Sequence, residues 1–146
     1  MQWDASPQAG FTRGTPWIAV NPDYVTVNAG VQVGQPGSVF EHYRRLIGLR
    51  HTDPVVTDGD FELLLPDHPA IWAFLRRGRD VGGHDAELLV AANFSADVTG
   101  AVLPLDAGWA DAAVVLANLP GTEPLQPPPD LKLRPWESVI WRRTRP

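Results

Sequence analysis

The chain has 146 residues, a net charge of −5 at pH 7 and 44% hydrophobic residues, a composition that suits one globular domain with a sizeable core. The negative charge argues against a general phosphate-binding surface and hence against nucleic acid as a partner, and no apolar run approaches the ~20 residues needed to span a bilayer. Cysteine is absent, so there is no disulfide and no thiolate metal site; with neither a basic-then-apolar leader nor a membrane span, the expected location is the cytoplasm.

Residues 1–37 are rich in Pro and Gly and show no sustained helical or alternating period, which predicts a long irregular loop. Trp3, Phe11 and Trp17 would stand in water there, which implies a partner surface outside the loop. Asn21-Pro22-Asp23 reads as a turn, with residues 24–28 extended after it. The clearest helix follows over residues 38–52. Ser38 and Glu41 have the spacing of a capping box, and Glu41 and Arg45 that of an i,i+4 ion pair. Val39, Phe40, Tyr43, Leu46 and Ile47 form an apolar stripe that needs covering. Pro54 holds Asp53 extended, so the helix ends at His51 or Thr52.

From Pro54 the pattern changes to short strands: residues 61–65, 70–76, 87–94, 98–103, 113–116, 131–134 and 138–142. Runs at this spacing predict a mainly β fold, an antiparallel β-sandwich. Turns are expected at Pro66-Asp67-His68-Pro69 and Gly82-Gly83, and Leu88–Ala92, apolar on both faces, reads as a central strand. Pro104 ends the fourth run, and Pro127-Pro128-Pro129 reads as a stiff connector before a final hairpin turning at Trp136-Glu137. Residues 142–146 read as a frayed basic end.

The opening MQWD-S-P-AGF-T-G-PW-I-VNP-Y and the later SVF-HYRRLI-LR resemble the end of the catalytic domain in the α-glucosidase group of glycoside hydrolase family 13, which includes oligo-1,6-glucosidases, dextran glucosidases, sucrose isomerases and trehalose synthases. GDFELLLPDHPAIWAF, ELLVAANFS and LRPWESVIWR extend the resemblance to nearly the whole chain. It implies that residues 1–53 are the C-terminal end of a (β/α)8 barrel, with rim loop 1–37 and last helix 38–52, and that residues 54–146 are the sandwich called domain C. The partners it implies are an α-glucosidic oligosaccharide and the catalytic barrel itself; it implies no cofactor.

The resemblance places the family's nucleophile, acid/base and transition-state-stabilising carboxylates upstream of the segment matching Met1. No catalytic residue is therefore expected within the chain, which is expected to be inactive alone. Asp4, Asp23 and Glu41 each have an ordinary surface or capping explanation. Gln2 and Trp3 are the candidates for a substrate rim, since an aromatic face suits a pyranose and an amide its hydroxyls. His42, His51, His68 and His84 show no zinc-helix spacing, so no metal site is expected. The competing reading is an autonomous, non-catalytic carbohydrate-binding sandwich; the continuous match from Met1 through the helix favours the enzyme.

Overall fold

A computed structural model describes residues 1–121 and 129–144. The chain divides into two compact units, Met1–Arg45 and Leu46–Pro146. In the first, the irregular path is broken by 3-10 turns at Pro7–Gly10 and Pro22–Val25 and by a single helical turn, α1 (Ala29–Gln32). The expected extended run over residues 24–28 is thus replaced by a turn through Tyr24, Val25 and Thr26, and only Asn28, which caps α1, is extended. The Asn21 side chain accepts from the Asp23 N–H, Pro22 presets the first turn position, and Thr26 and Val27 donate back to the Asp23 carbonyl. Ala9, Asn28 and Ala29 are buried, while Trp3, Phe11 and Trp17 are 59%, 51% and 94% exposed. The segment folds back on its small residues and leaves its large rings outside.

Helix α2 (Val39–Thr52) starts on half of the predicted capping box. The Ser38 hydroxyl accepts from the Glu41 N–H at 3.2 Å, but the Glu41 carboxylate takes the Gly34 N–H at 2.9 Å and pairs with Arg44 rather than Arg45. The Ser38 N–H has gone to the Gln35 carbonyl, so Glu41 is released to the preceding turn. Val39, Tyr43 and Ile47 are exposed and Phe40 and Leu46 half-buried.

The strands do not begin at Pro54. A short helix, α3 (Pro54–Asp58), intervenes, because the Asp53 carboxylate accepts from the Val55 N–H at 3.0 Å and Pro54 occupies the first helical position. The Arg76 guanidinium donates to the carbonyls of Val55, Val56 and Thr57, which closes the other end of α3 onto the sheet. At Gly59 a Cβ would stand 2.5 Å from the Val55 oxygen and 2.8 Å from the Arg77 oxygen, so only glycine fits there.

Among the described residues seven strands follow: β1 (Asp60–Leu63), β2 (Ile71–Arg79), β3 (Asp85–Asn93), β4 (Thr99–Val102), β5 (Ala113–Ala117), β6 (Asp130–Leu133) and β7 (Ser138–Thr144). One sheet has the order β1-β2-β3-β7-β5 and the other pairs β4 with β6, all antiparallel. The apolar β3 lies centrally, with Leu88 and Leu89 facing opposite sides, and the two predicted turns join β1 to β2 and β2 to β3. The core is formed by Ile71, Ala73, Leu75, Leu89, Ala91, Val139 and Trp141 of the large sheet against Leu131 and Leu133 of β6, Leu103 and Trp109. Trp109 comes from a 3-10 turn, Ala107–Trp109, in which the Asp106 side chain accepts from the Gly108 N–H.

β6 and β7 do not form a final hairpin: β6 pairs with β4 and β7 with β3 and β5, so the Trp136-Glu137 turn carries the chain from one sheet to the other. The buried Glu137 carboxylate holds that turn by accepting from the Arg134 N–H and guanidinium. Nor are Arg142, Arg143 and Thr144 frayed. They belong to β7, where Arg142 pairs with Asp53 and Arg143 with Glu87 and Asp106. Residues 145–146, and 127–128 of the expected proline connector, lie outside the described residues.

Candidate functional site

Gln2 and Trp3 lie on a segment held from two sides. The Trp3 N–H donates to the Ala9 carbonyl at 3.0 Å. The Gln2 and Trp3 carbonyls each accept, at 2.8 Å, from the N–H groups of Ala29 and Gly30, the first residues of α1. Helix N-termini need acceptors, and the Asn28 side chain supplies the third by taking the Val31 N–H at 3.0 Å. On the Ala9 side, Gln8, Ala9 and Gly10 stand in succession at φ of 61°, 53° and 74°. Gly10 is required there, because a Cβ would reach 3.1 Å from the Trp3 Cβ as well as adopting a left-handed φ. The backbone is thus fixed while Trp3 itself stays exposed.

The Gln2 amide donates to Asp23 at 2.6 Å, a partner 21 residues away. Gln2 also lines an open cleft of about 570 Å3 with Phe11, Pro16, Trp17, Ile18 and Asn21; Trp3 does not line it. The structure therefore brings the two rim candidates onto one fixed backbone segment but not around one cavity. Asp23 is the group that orients Gln2. Its Asn-Pro-Asp setting signalled a turn and gave no sign of this contact.

The other carboxylates are engaged locally. Asp4 accepts from both the N–H and the hydroxyl of Ser6, and these bonds, the hydroxyl first, hold its pKa below the ordinary aspartate value. Ser6→Ala is expected to move the Asp4 titration back upward, read by NMR; an unmoved midpoint would show that the hydroxyl does not set it. Glu41 is spent on Gly34 and Arg44. His68 Nδ1 accepts from the N–H groups of Ala70 and Ile71 and so closes the β1–β2 turn. Among the described residues no three His, Asp or Glu gather as metal ligands, and no helix is long and apolar enough to cross a membrane.

Residues 1–59 match the alpha-amylase family's catalytic domain. The chain is 39% identical to trehalose-6-phosphate hydrolase of Bacillus subtilis over 149 aligned positions, covering 100% of itself and 25% of that protein. It is 40% identical to oligo-1,6-glucosidase of Heyndrickxia coagulans, covering 97% of itself and 23% of the relative. Among solved structures, trehalose-6-phosphate hydrolase of Bacillus licheniformis superposes with a TM-score of 0.83 at 34% identity over 99% of this chain and 25% of the other. Isomaltulose synthase of Erwinia rhapontici gives 0.82 at 38% identity over 99% and 24%. The chain thus spans about a quarter of the length of the relatives it matches.

Proposed function

Since the chain belongs to the α-amylase family, glycoside hydrolase family 13, we propose that it works as the C-terminal part of an α-glucosidase-type enzyme that cleaves α-glucosidic linkages in small oligosaccharides. In this reading residues 1–53 complete the barrel and residues 54–146 are its domain C. Gln2 and Trp3 stand at the rim of the sugar site, the amide steered by Asp23 and the ring free to meet a pyranose face. The site of action is the cytoplasm, which cell fractionation would check.

One observation carries the reading: the likeness runs unbroken from the catalytic-domain segment through the sandwich. A free-standing sugar-binding module has no use for that segment.

Retaining glycosidases need two carboxyl groups about 5–5.5 Å apart across the glycosidic bond. Asp4, Asp23 and Glu41 are instead engaged with Ser6, Gln2, and Gly34 with Arg44. The purified 146-residue polypeptide is therefore expected to release no nitrophenol from an aryl α-glucoside above background. Turnover that vanishes on Asp4→Ala, Asp23→Ala or Glu41→Ala would place catalysis inside this chain and overturn the reading.

A further inference from the structure

We propose that Trp136 is the platform of a carbohydrate-binding site on the sandwich, with an α-glucosidic oligosaccharide as its ligand; the choice of sugar rests on the function proposed above. The backbone singles this residue out. Trp136 stands at φ 57°, in the left-handed region that a large side chain rarely enters and that glycine enters freely. Such strain persists only where the surrounding structure imposes it.

The Trp136 N–H donates to the Ser95 carbonyl at 3.2 Å, and the Trp136 carbonyl accepts from the Asn118 amide at 2.8 Å. The buried Glu137 carboxylate takes the Arg134 N–H and guanidinium, and the buried Asn93 amide donates to the carbonyls of Asp97 and Arg134. The connections after β3, β5 and β6 are thereby bound together, and the residue where they meet is 59% exposed. The core closes on Trp109 and Trp141 without its ring. Glycine would suit the turn better, so a rigid, strained and exposed indole is retained for what it meets outside the fold.

Its surroundings select the ligand. Among the described residues no other ring stacks on Trp136, which leaves its face free for the C–H face of a pyranose. Phe94, 62% exposed and next to Ser95, adds a second aromatic at this end of the sandwich. Because the Asp97 and Arg134 carbonyls share the Asn93 amide, the exposed Asp97 carboxylate and the part-exposed Arg134 guanidinium lie at the same rim. One accepts and the other donates, the two functions that sugar hydroxyls need, whereas charged groups are depleted at the centre of a protein interface. The place is also open to a soluble ligand. Helix α3 packs on Ala86 and Leu88 near the start of β3, and Trp136 lies beside Asn93 at its end, about 20 Å along the strand. The match to the catalytic domain stops at residue 59, just past α3, so that domain's chain arrives at the opposite end.

The test is an NMR titration of the polypeptide with maltotetraose, following the indole N–H signals, with β-linked cellotetraose as the control. The Trp136 signal is identified by its loss in Trp136→Gly. It is expected to shift saturably with maltotetraose and not with cellotetraose, and Trp136→Gly is expected to weaken binding at least about tenfold without lowering the urea midpoint. Trp136→Phe is expected to keep binding, since a ring is kept. No shift, an equal shift with both sugars, undiminished binding in Trp136→Gly, or a shift that follows protein concentration instead of sugar overturns the proposal; a lowered midpoint in Trp136→Gly together with lost binding in Trp136→Phe makes the ring structural and does the same. The function proposed above is judged separately, in a chimera where this chain replaces the aligned final quarter of Bacillus subtilis trehalose-6-phosphate hydrolase. An active chimera whose Trp136 ignores maltotetraose overturns this inference alone, and a folded but inactive one whose Trp136 still responds overturns the proposed function and supports the sugar site.

Discussion

Trp141→Ala is expected to cost the sandwich about 3–5 kcal/mol, a large part of the ~5–15 kcal/mol that holds an ordinary domain together. Trp141 is 1% exposed on β7, opposite Leu89 of β3 on one side and Val114 of β5 on the other. β7 is hydrogen-bonded to both neighbours, so backbone collapse around the lost ring would break a ladder, and the cavity stays open. Urea unfolding is expected to show a lower midpoint at unchanged slope. Trp136→Ala is the control, because that ring is outside the core and its loss is expected to fall within about 0.5 kcal/mol of neutral. Equal losses for the two would mean that the core is not built around Trp141.

The seven described strands were legible in advance. Each is a short apolar run between turn residues, and that local pattern survives folding because the core needs it. Helix α3 was not legible by periodicity, since five residues are too few to show a period. Its signal was chemical, the Asp53-Pro54 pair, and was read only as the end of the helix before it. The split of β6 and β7 between sheets was hidden for another reason. A hairpin and a sheet-to-sheet crossing look alike over a few residues, and the choice depends on β4, far upstream, which takes β6 as its partner.

The same limit applies to the site. Gln2 and Trp3 were singled out by residue type, which is a local property. The groups that hold them, Ala9, Ala29, Gly30 and Asp23, act through main-chain bonds or across long loops, and residue type does not announce such contacts. Buried carboxylates are the extreme case. Glu87 looks like the polar start of a strand, yet it is 2% exposed and its Arg143 partner lies 56 residues away.

Glu87→Ala is expected to cost about 3 kcal/mol, the lower end of what removing one member of a buried ion pair costs. The Glu87 carboxylate accepts from Arg77 Nε at 2.8 Å and from Arg143 Nε, closing the end of the core beside β2, β3 and β7. Arg77 keeps Glu62 and reaches water, which softens the loss; the Arg143 side chain is only 10% exposed, which does not. Arg143 also pairs with Asp106 and lies 4.5 Å over the Trp109 ring, so its position bears on the packing of the core. Hydrogen bonds from its guanidinium to Asp106, and then to Glu87, raise its pKa. Stability from a raised arginine is present below the unfolded pKa and lost only as pH climbs through the folded one, at the alkaline extreme. If the two groups act as a unit, Glu87→Ala with Arg143→Ala is expected to cost less than the sum of the single changes, by about 0.5–3 kcal/mol. Additive losses in denaturant unfolding would show that the ion pair contributes nothing beyond the packing of each side chain.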